Sequence, residues 1–312
     1  MGALNQMVTG GNLMETILVA EALQEQRISQ IATLLATVSD EVRLVLISGP
    51  SSSGKTTFSK RLAIQLMAHG VKPFALGLDD FIVDRELNPR DEEGDYDYEH
   101  LHSLNLELFN EVLLGLMRGE AVTLPRYNFF TGKREWGDTV SITRDHMIIV
   151  EGIHGMNPEL VPQIPADAIF RIYVSALTQL NLDHHNRVAT TDTRLLRRIV
   201  RDARSRGYTA QDTITRWPKV RRGEHTWIFP YQENADVMFN SALVYELAVI
   251  KPLAEPLLLQ IEPGKPGHVE AKRLLSFLHW FEPCDTLDHI PDNSLLREFI
   301  GGSILETYHA RG

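Results

Sequence analysis

A short segment rich in glycine and serine could bind phosphate: Gly49-Pro-Ser-Ser-Ser-Gly-Lys-Thr56. Its glycines allow the backbone to curl so that several N–H groups point inward at phosphate oxygens. A helical pattern begins within the segment, and the start of a helix adds a partial positive charge. In such a loop the lysine reaches the β- and γ-phosphates and the threonine hydroxyl binds Mg²⁺. We therefore expect a nucleoside triphosphate to bind through Gly49, Ser51, Ser52, Ser53, Gly54, Lys55, Thr56 and Thr57, with Mg²⁺ at Thr56.

Two acidic side chains that follow apolar runs could take part in phosphoryl transfer. Asp79 follows the run 73–78, and Glu151 follows the run 146–150. Transfer to an alcohol needs one carboxylate that accepts the hydroxyl proton and another that organises Mg²⁺. We predict that Asp79 is the base and that Glu151, together with Thr56, is associated with the metal. Helix capping or turn chemistry is the alternative explanation for Asp79.

One helical stretch carries arginines at regular spacing, and it is basic in an otherwise acidic chain. Residues 183–225 contain eleven lysines and arginines but five acids, whereas the whole chain has a formal net charge of −10. One explanation is a lid, a helix that closes over ATP and brings arginines to the transferring phosphoryl group. The other is a solvated face with pairs such as Arg198–Asp202. The phosphate-binding motif favours the lid. The arginines are Arg194, Arg197, Arg198, Arg201, Arg204 and Arg206.

Strand and helix patterns alternate around these residues. Short apolar, β-branched runs predict strands, and longer segments with helical spacing lie between them. This alternation predicts an α/β fold of the P-loop NTPase type, with a mainly parallel sheet and helices on both faces. Ligands bind such sheets at the carboxyl ends of the strands, where Asp79 and Glu151 are expected. Strands are predicted at 43–48, 73–78, 146–150, 168–175 and 236–240, and helices near 12–37, 56–69, 101–118, 178–187, 193–206, 210–216, 241–250 and 268–280.

Composition indicates a globular chain with three parts. The 312 residues are 43% hydrophobic and 23% charged, and no low-complexity tract interrupts them. The proline- and glycine-rich stretch 262–267 resembles a linker. We predict an N-terminal helical segment at 1–40, a kinase domain at 41–261 with its lid around 184–225, and a helical C-terminal extension at 262–312.

The charge and cysteine content indicate which binding partners and which cellular compartment to expect. A net charge of −10 argues against a nucleic-acid-binding surface. Cys284 is the only cysteine of the chain, so no intramolecular disulfide can form, which fits a reducing compartment. No apolar run is long enough for a membrane span, and the N-terminus lacks the features of a signal peptide. We expect a cytoplasmic protein without a membrane partner.

The order of these motifs resembles the uridine kinase/phosphoribulokinase family of P-loop kinases, especially its bacterial uridine kinase-like members. The resemblance spans roughly residues 43–240. It rests on GPSSSGKTTF at 49–58, LDDF at 78–81, LPRYNFFTGKR at 124–134, VEGIHG at 150–155, RLLRRIVRDARSRG at 194–207 and ADVMFNSAL at 235–243.

This resemblance implies roles for individual residues. Asp79, Lys55, Arg201 and Arg206 would be catalytic, and Arg198 would contact the nucleotide. The acceptor would contact Asp79 and two further groups. The first is Tyr98, Glu99 and His100, in which Glu99 replaces an aspartate that holds the ribose hydroxyls in the family, and the second is Tyr127 and Phe129 at the base. The family pattern is lost at Ile82, where it has an aromatic residue, at Gly132, where it has a histidine, and at Tyr208, where it has an arginine.

The sequence therefore predicts ATP-dependent phosphoryl transfer to the 5′-hydroxyl of a pyrimidine nucleoside, by a homo-oligomer. Two alternatives remain. One is a kinase for another small hydroxyl metabolite, such as a sugar phosphate or a pantothenate-like compound. The other is a nucleotide-binding regulatory module in which the phosphate loop acts as a switch. The presence of both Asp79 and the lid arginines argues against a pure switch.

Overall fold

The computed structural model describes residues 1–181, 185–284 and 286–310. The strands are β1 (Leu44–Ser48), β2 (Lys72–Gly77), β3 (Val122–Asn128), β4 (Lys133–Val140), β5 (His146–Glu151), β6 (Ile169–Ser175) and β7 (Val237–Asn240). The helices are α1 (Gly2–Thr9), α2 (Leu13–Thr37), α3 (Lys55–Ala68), α4 (Leu106–Arg118), α5 (Thr190–Ser205), α6 (Ala210–Gly223), α7 (Glu246–Leu259), α8 (His268–Leu278) and α9 (Arg297–Ile300).

The main sheet has five parallel strands in the order β2-β5-β1-β6-β7. All five residues of β1 are buried, because the strand lies at the centre of the sheet and helices cover both faces. Leu44 and Leu46 pack with α4 on one face, whereas Val45 and Ile47 pack with α2, α3 and α5 on the other. This alternation follows from the two-residue period of a strand. The structure confirms the predicted α/β fold, and each of the five predicted strands is present.

The two ends of the chain pack into the same core as the central sheet. Ile17 and Ile28 of α2, on the N-terminal side, are fully buried in that core. Leu295 and Phe299, near the C-terminus, are fully buried in it as well. Described parts of the segments predicted at 1–40 and 262–312 therefore pack into this core and contribute to its stability.

The hairpin formed by β3 and β4 was not predicted as strands. Its strands pair antiparallel, with a register shift between Thr123 and Pro125. Most of β4 is exposed, so the hairpin has no apolar run to indicate it in the sequence. Proline has no N–H to donate to the ladder, so it is tolerated in a strand at an irregularity of this kind, where the regular pairing is interrupted.

The helix predicted near 178–187 is wrong for the residues that the structure describes there. Residues 178–181 and 185–187 are not helical, and residues 182–184 lie outside the described part. The Val188 N–H donates to the Leu180 carbonyl at 3.0 Å, and Asn181 forms a bridge with Arg187. These backbone contacts take the place of the hydrogen bonds that a helix would form. The start of the predicted lid, residue 184, falls in the undescribed part, and α5 and α6 make up the rest of the lid region.

Among the described residues, no helix has both the length and the apolar composition needed to cross a lipid bilayer.

Candidate active site

The turn from β1 into α3 forms the phosphate loop at the carboxyl edge of the sheet. Gly49 begins the turn, and a Cβ there would lie 2.0 Å from the carbonyl oxygen of Val174, so only glycine fits. Gly54 ends the turn with a φ of 88°, a left-handed conformation that favours glycine. α3 then begins at Lys55, and its first N–H groups have no acceptor within the helix. These features give the loop the shape that phosphate binding requires.

Two buried hydroxyl groups in the loop support a phosphate ligand. The Oγ atoms of Ser52 and Ser53 are buried and have no hydrogen-bond partner among the described residues. Such groups are costly unless a ligand or water satisfies them. Ser52 also has a φ of 59°, which is uncommon for a residue other than glycine. The loop residues therefore fit the triphosphate predicted for them.

Lys55, Thr56 and Glu151 meet at the mouth of the loop. The Thr56 hydroxyl donates to Glu151 Oε2 at 3.2 Å, and the Lys55 ammonium lies 3.9 Å from Glu151 Oε1. Burial raises the pKa of Glu151 to about 7; the nearby Lys55 lowers it, and the Asp79 and Glu298 carboxylates raise it further. The raised pKa of Glu151 indicates that nearby cations do not balance its negative charge. Together with the Thr56 hydroxyl, this carboxylate fits Mg²⁺, which prefers oxygen ligands.

Asp79 lies just beyond the carboxyl end of β2, in the short helical turn Leu78–Phe81, and its side chain is exposed. Its negative charge acts on Glu151 on the neighbouring strand and on Arg206 after α5. The two acids and the lid arginine predicted from the sequence are thus brought together at one edge of the sheet. Asp80, beside Asp79, accepts a hydrogen bond from the Tyr127 backbone at 3.4 Å.

Five of the arginines in and directly after α5 divide into two groups with different partners. Arg194 and Arg197 are fully buried and pair with the equally buried Glu224 and Glu246. Both also donate to backbone carbonyls of the phosphate loop: Arg194 Nε to Ser51 at 2.8 Å, and Arg197 Nη1 to Ser52 and Ser53 at 3.4 Å. These two arginines therefore support the outer side of the loop.

The second group contains the three predicted lid arginines, which surround Asp202. Arg198 lies 3.3 Å from this carboxylate, Arg201 2.8 Å and Arg206 3.7 Å. Arg198 also donates to the Ser51 hydroxyl at 2.8 Å, which places it beside the phosphate loop. One carboxylate balances only one of these three guanidinium charges.

The predicted ribose-binding residues lie against the far end of α6. Glu99 is so close to Gly223 that a Cβ on that glycine would lie 2.2 Å from Glu99 Cβ. Burial raises the pKa of Glu99 to about 7, and the Arg198 guanidinium opposes this shift. The His100 ring packs on Trp227 with 4.1 Å between centroids, whereas Tyr98 remains half exposed.

The predicted base-binding aromatic residues lie on the β3–β4 hairpin. Tyr127 is buried, Phe129 is exposed, and their rings meet edge to face with centroids 5.1 Å apart. Arg85 lies beside them: its Nη2 donates to the Phe129 carbonyl at 2.9 Å. A Cβ on Gly132 would lie 2.7 Å from Arg85 Nε, so a larger residue at position 132 would displace this guanidinium.

The other two departures from the family pattern lie outside this cluster. Ile82 pairs with Leu104 and packs on the α4 side of the sheet. Tyr208 is partly exposed, and the Arg216 guanidinium lies 4.5 Å above its ring.

An acidic loop at residues 91–95 pairs with a basic surface of α6. Lys219 of α6 forms ion pairs with Asp91 at 3.2 Å and with Glu93 at 3.3 Å, and also with Asp95. The hydrogen bond to Asp95 raises the pKa of Lys219. The three acids are close enough to hold a metal ion, but the Lys219 ammonium already pairs with all three, and Arg222 pairs with Asp91 and Glu93.

Two features of the site were not predicted from the sequence. Arg194 and Arg197 were recognised only as members of the arginine series, and their burial could not be seen. Glu298 was not considered, although its carboxylate accepts a hydrogen bond from the backbone N–H of Thr57 at 3.0 Å. No local sequence pattern indicates a contact between residues 241 positions apart.

Comparisons with known proteins agree on one family. The model of the phosphoribulokinase / uridine kinase family matches residues 44–248. The uridine kinase of Staphylococcus haemolyticus is 28% identical over 196 residues, which cover 62% of this chain and 86% of that protein. The uridine kinase of Staphylococcus aureus strain JH9 has the same identity and coverage.

Among solved structures, one described as a possible uridine kinase from Bacillus stearothermophilus aligns with a TM-score of 0.47 and 23% identity. The alignment covers 69% of this chain and 98% of that structure. The D-glycerate 3-kinase from Cryptococcus neoformans var. grubii aligns with a TM-score of 0.31 and 15% identity, over 88% of this chain and 87% of that structure.

Proposed function

Because the chain belongs to the phosphoribulokinase / uridine kinase family, we propose that it transfers the γ-phosphoryl group of ATP to the 5′-hydroxyl of a pyrimidine nucleoside. Membership of this kinase family implies the use of ATP and a small-molecule substrate. The acceptor is the more specific part of the proposal. It rests on the aromatic pair Tyr127 and Phe129, on Glu99, and on the relatives named uridine kinase.

The observation that carries the proposal is the meeting of Glu151 with Thr56 at the phosphate loop, while Asp79 lies close enough to raise the pKa of Glu151. Thr56 and Glu151 would hold Mg²⁺, which neutralises charge on the phosphates when bound. Asp79 is then a second carboxylate, exposed and available to accept the proton of an acceptor hydroxyl.

The remaining catalytic groups are cationic. Lys55 would contact the β- and γ-phosphates. Arg198, Arg201 and Arg206 would neutralise charge that develops on the transferring group, because Asp202 balances only part of their charge. Tyr98 and His100 would border the ribose beside Glu99. A site that closes over the reacting groups also excludes water, which favours transfer over hydrolysis.

The test is ADP release from purified protein with MgATP and a panel of nucleosides, sugars, sugar phosphates and hydroxy acids. We expect turnover that depends on uridine or cytidine and that falls about 10³-fold in Asp79→Asn, as expected for loss of a general base. Asp167→Asn removes an exposed acid far from the loop and serves as the matched control. Hydrolysis that needs no acceptor and is unaffected by Asp79→Asn would contradict the proposal and favour a nucleotide-binding regulatory module.

One observation favours a second acceptor class, a small metabolite with an anionic group. The Arg85 guanidinium lies beside Tyr127 and Phe129, in space that Gly132 leaves open. Guanidinium groups bind phosphate and carboxylate well. Turnover with a sugar phosphate or hydroxy acid, lost in Arg85→Gln, would support this class. Turnover with uridine that persists in Arg85→Gln would support the nucleoside.

A further inference from the structure

The carboxylate of Glu298 occupies part of the phosphate loop's own binding surface. Its Oε2 accepts the N–H of Thr57, in the first turn of α3, at 3.0 Å. The N–H groups of a first helical turn have no acceptor inside the helix, and they are the donors that a phosphate group uses at this motif. An anionic oxygen from the protein therefore holds a donor that the nucleotide needs.

Glu298 belongs to a C-terminal segment, residues 286–310, that is fixed tightly against the loop. Three residues before it, Leu295 packs on Gly54, where a Cβ would lie 2.3 Å from Leu295 Cδ2. Its neighbour Phe299 is fully buried beneath the Arg197 guanidinium, which lies 4.9 Å from the ring centroid. Arg204 donates to the carbonyl oxygens of Glu298 and Phe299 at 3.4 Å. The backbone at Glu298 is thus fixed from both sides.

The segment then continues across α3 to the edge of the sheet. Lys60 donates to the carbonyl oxygens of Leu305 at 2.6 Å and Glu306 at 3.1 Å. The Ala75 N–H of the edge strand β2 donates to the Ala310 carbonyl at 2.8 Å. Displacement of the whole segment would break these contacts and expose core residues. The side chain of Glu298 is only partly buried, so it can turn away while the segment stays in place.

Charge makes the position of this side chain costly for a nucleotide. The carboxylates of Asp79 and Glu298 both lie close enough to Glu151 to raise its pKa. A nucleotide brings several further negative charges to the same place, and like charges in a partly buried site repel. Binding therefore gains both a donor and relief of repulsion when Glu298 moves out.

We propose that Glu298 competes with the nucleotide for the phosphate loop and so sets the affinity of this chain for ATP and ADP. The nucleotide binds when the Glu298 side chain leaves the Thr57 N–H. The segment that carries this residue lies outside residues 44–248, which match the family model, so the device belongs to the C-terminal part of this chain. The inference rests on the proposed function only in that the loop binds a nucleotide.

The test is equilibrium binding of a fluorescent ADP analogue, and of ADP by calorimetry, with Mg²⁺ and no acceptor. Glu298→Ala removes the charge and the acceptor atom, and we expect about tenfold tighter binding, in line with one charged hydrogen bond. Glu298→Gln keeps the size and an acceptor oxygen but loses the charge. Its affinity for ADP should therefore fall between those of the unchanged protein and Glu298→Ala. Glu306→Gln is the matched control, because it removes an exposed acid of the same segment that does not contact the loop.

Equal or weaker binding by both Glu298 variants would overturn the inference and make Glu298 a supporting residue of the loop. Thermal unfolding without nucleotide shows whether each variant remains folded, and Glu298→Gln is the variant that preserves packing. The assay contains no acceptor, so it separates the two proposals. Tighter binding by Glu298→Ala, together with no phosphorylation of any acceptor in the separate ADP-release assay, would contradict the kinase proposal and still support this one.

Discussion

Arg194 donates a hydrogen bond from its Nε to the carbonyl oxygen of Ser51 at 2.8 Å, from the interior of the molecule. Arg197, one helical turn further along, lies 3.4 Å from the carbonyl oxygens of Ser52 and Ser53. A loop whose carbonyls are held on its outer side keeps its N–H groups directed inward. Two arginines of α5 thus help to maintain the conformation that a phosphate ligand needs.

Arg194→Lys should weaken nucleotide binding clearly and lower the thermal stability of the protein only slightly. Lysine keeps a charge for the buried Glu224 but lacks the planar, forked donor that contacts Ser51 as well. We expect about a tenfold higher Kd for ADP, as for the loss of one buried hydrogen bond to a carbonyl, with the thermal unfolding temperature a few degrees lower. Calorimetry and thermal unfolding measure the two effects.

Arg273→Lys on the exposed side of α8 is the matched control for this change, since Arg273 forms surface ion pairs with Asp192 and Glu270. Its ADP affinity should equal that of the unchanged protein. If Arg194→Lys lowered the unfolding temperature strongly but left the ADP affinity unchanged, Arg194 would be a packing residue only.

Gly223→Ala should impair the acceptor site and leave the phosphate loop intact. A Cβ at this position would lie 2.2 Å from Glu99 Cβ, so Glu99 and its loop must move away from α6. We expect the KM for the acceptor to rise at least about tenfold, since a misplaced contact residue affects positioning strongly. The Kd for ADP should be unchanged.

Thr226→Ala, at an exposed position three residues further along the chain, is a suitable control for Gly223→Ala. Initial rates over a range of acceptor concentrations, together with ADP binding, give both quantities. An unchanged acceptor KM would show that Glu99 does not contact the acceptor.

Lys219→Gln should loosen the acidic loop from the lid helix. The ammonium contacts three carboxylates, Asp91, Glu93 and Asp95, which would repel one another without it. Since the ion pairs are partly exposed, we expect a modest effect of about two- to fivefold in acceptor KM. Faster cleavage within residues 84–100 by limited proteolysis should accompany it.

Lys133→Gln, at an exposed position of β4, makes the same change of charge and should have neither effect. High salt should reduce the difference between Lys219→Gln and the unchanged protein, because screening weakens exposed ion pairs. Identical proteolysis of Lys219→Gln and the unchanged protein at low salt would contradict a role for Lys219 in holding the loop.

The parts of the fold that local sequence patterns determine were predictable. β1 and β5 are continuous apolar runs, because helices cover both faces of the sheet, and the phosphate loop has a fixed spacing. The hairpin was missed because β4 is mostly exposed and has no apolar face. Its apolar contacts come mainly from β3, where Tyr127 is buried and Val122 and Leu124 pack against the α4 side of the core.

The parts of the site that depend on distant partners were not predictable. Arg194 and Arg201 have the same residue type and helical phase in the sequence, but the buried carboxylate that pairs with Arg194 comes from Glu224, 30 residues away. Likewise, the contact between Thr57 and Glu298 depends on how the C-terminal segment packs over α3. Only the folded chain distinguishes a supporting arginine from one available to the ligand.

Glu99→Gln should stabilise the protein at neutral and higher pH but not at low pH. Burial raises the folded-state pKa of Glu99 from 4.5 to about 7, with Arg198 and Lys55 opposing the shift and Glu224 and Asp97 adding to it. Below about pH 4.5 both states are protonated, so Glu99 contributes nothing to the pH dependence. As the pH rises to about 7, the unfolded state releases its proton first, and the stability of the folded state falls.

Glutamine resembles the protonated side chain and removes this penalty. One pKa unit corresponds to about 1.4 kcal/mol, and partial exposure reduces the effect, so we expect a gain of about 2 kcal/mol at about pH 8. Urea unfolding of both proteins at several pH values measures the difference, and other groups cancel because they titrate alike in both. Glu92→Gln, on the exposed part of the same loop, should show no such trend. If the gain were equal at about pH 4 and about pH 8, a repacked side chain rather than a buried charge would be its cause.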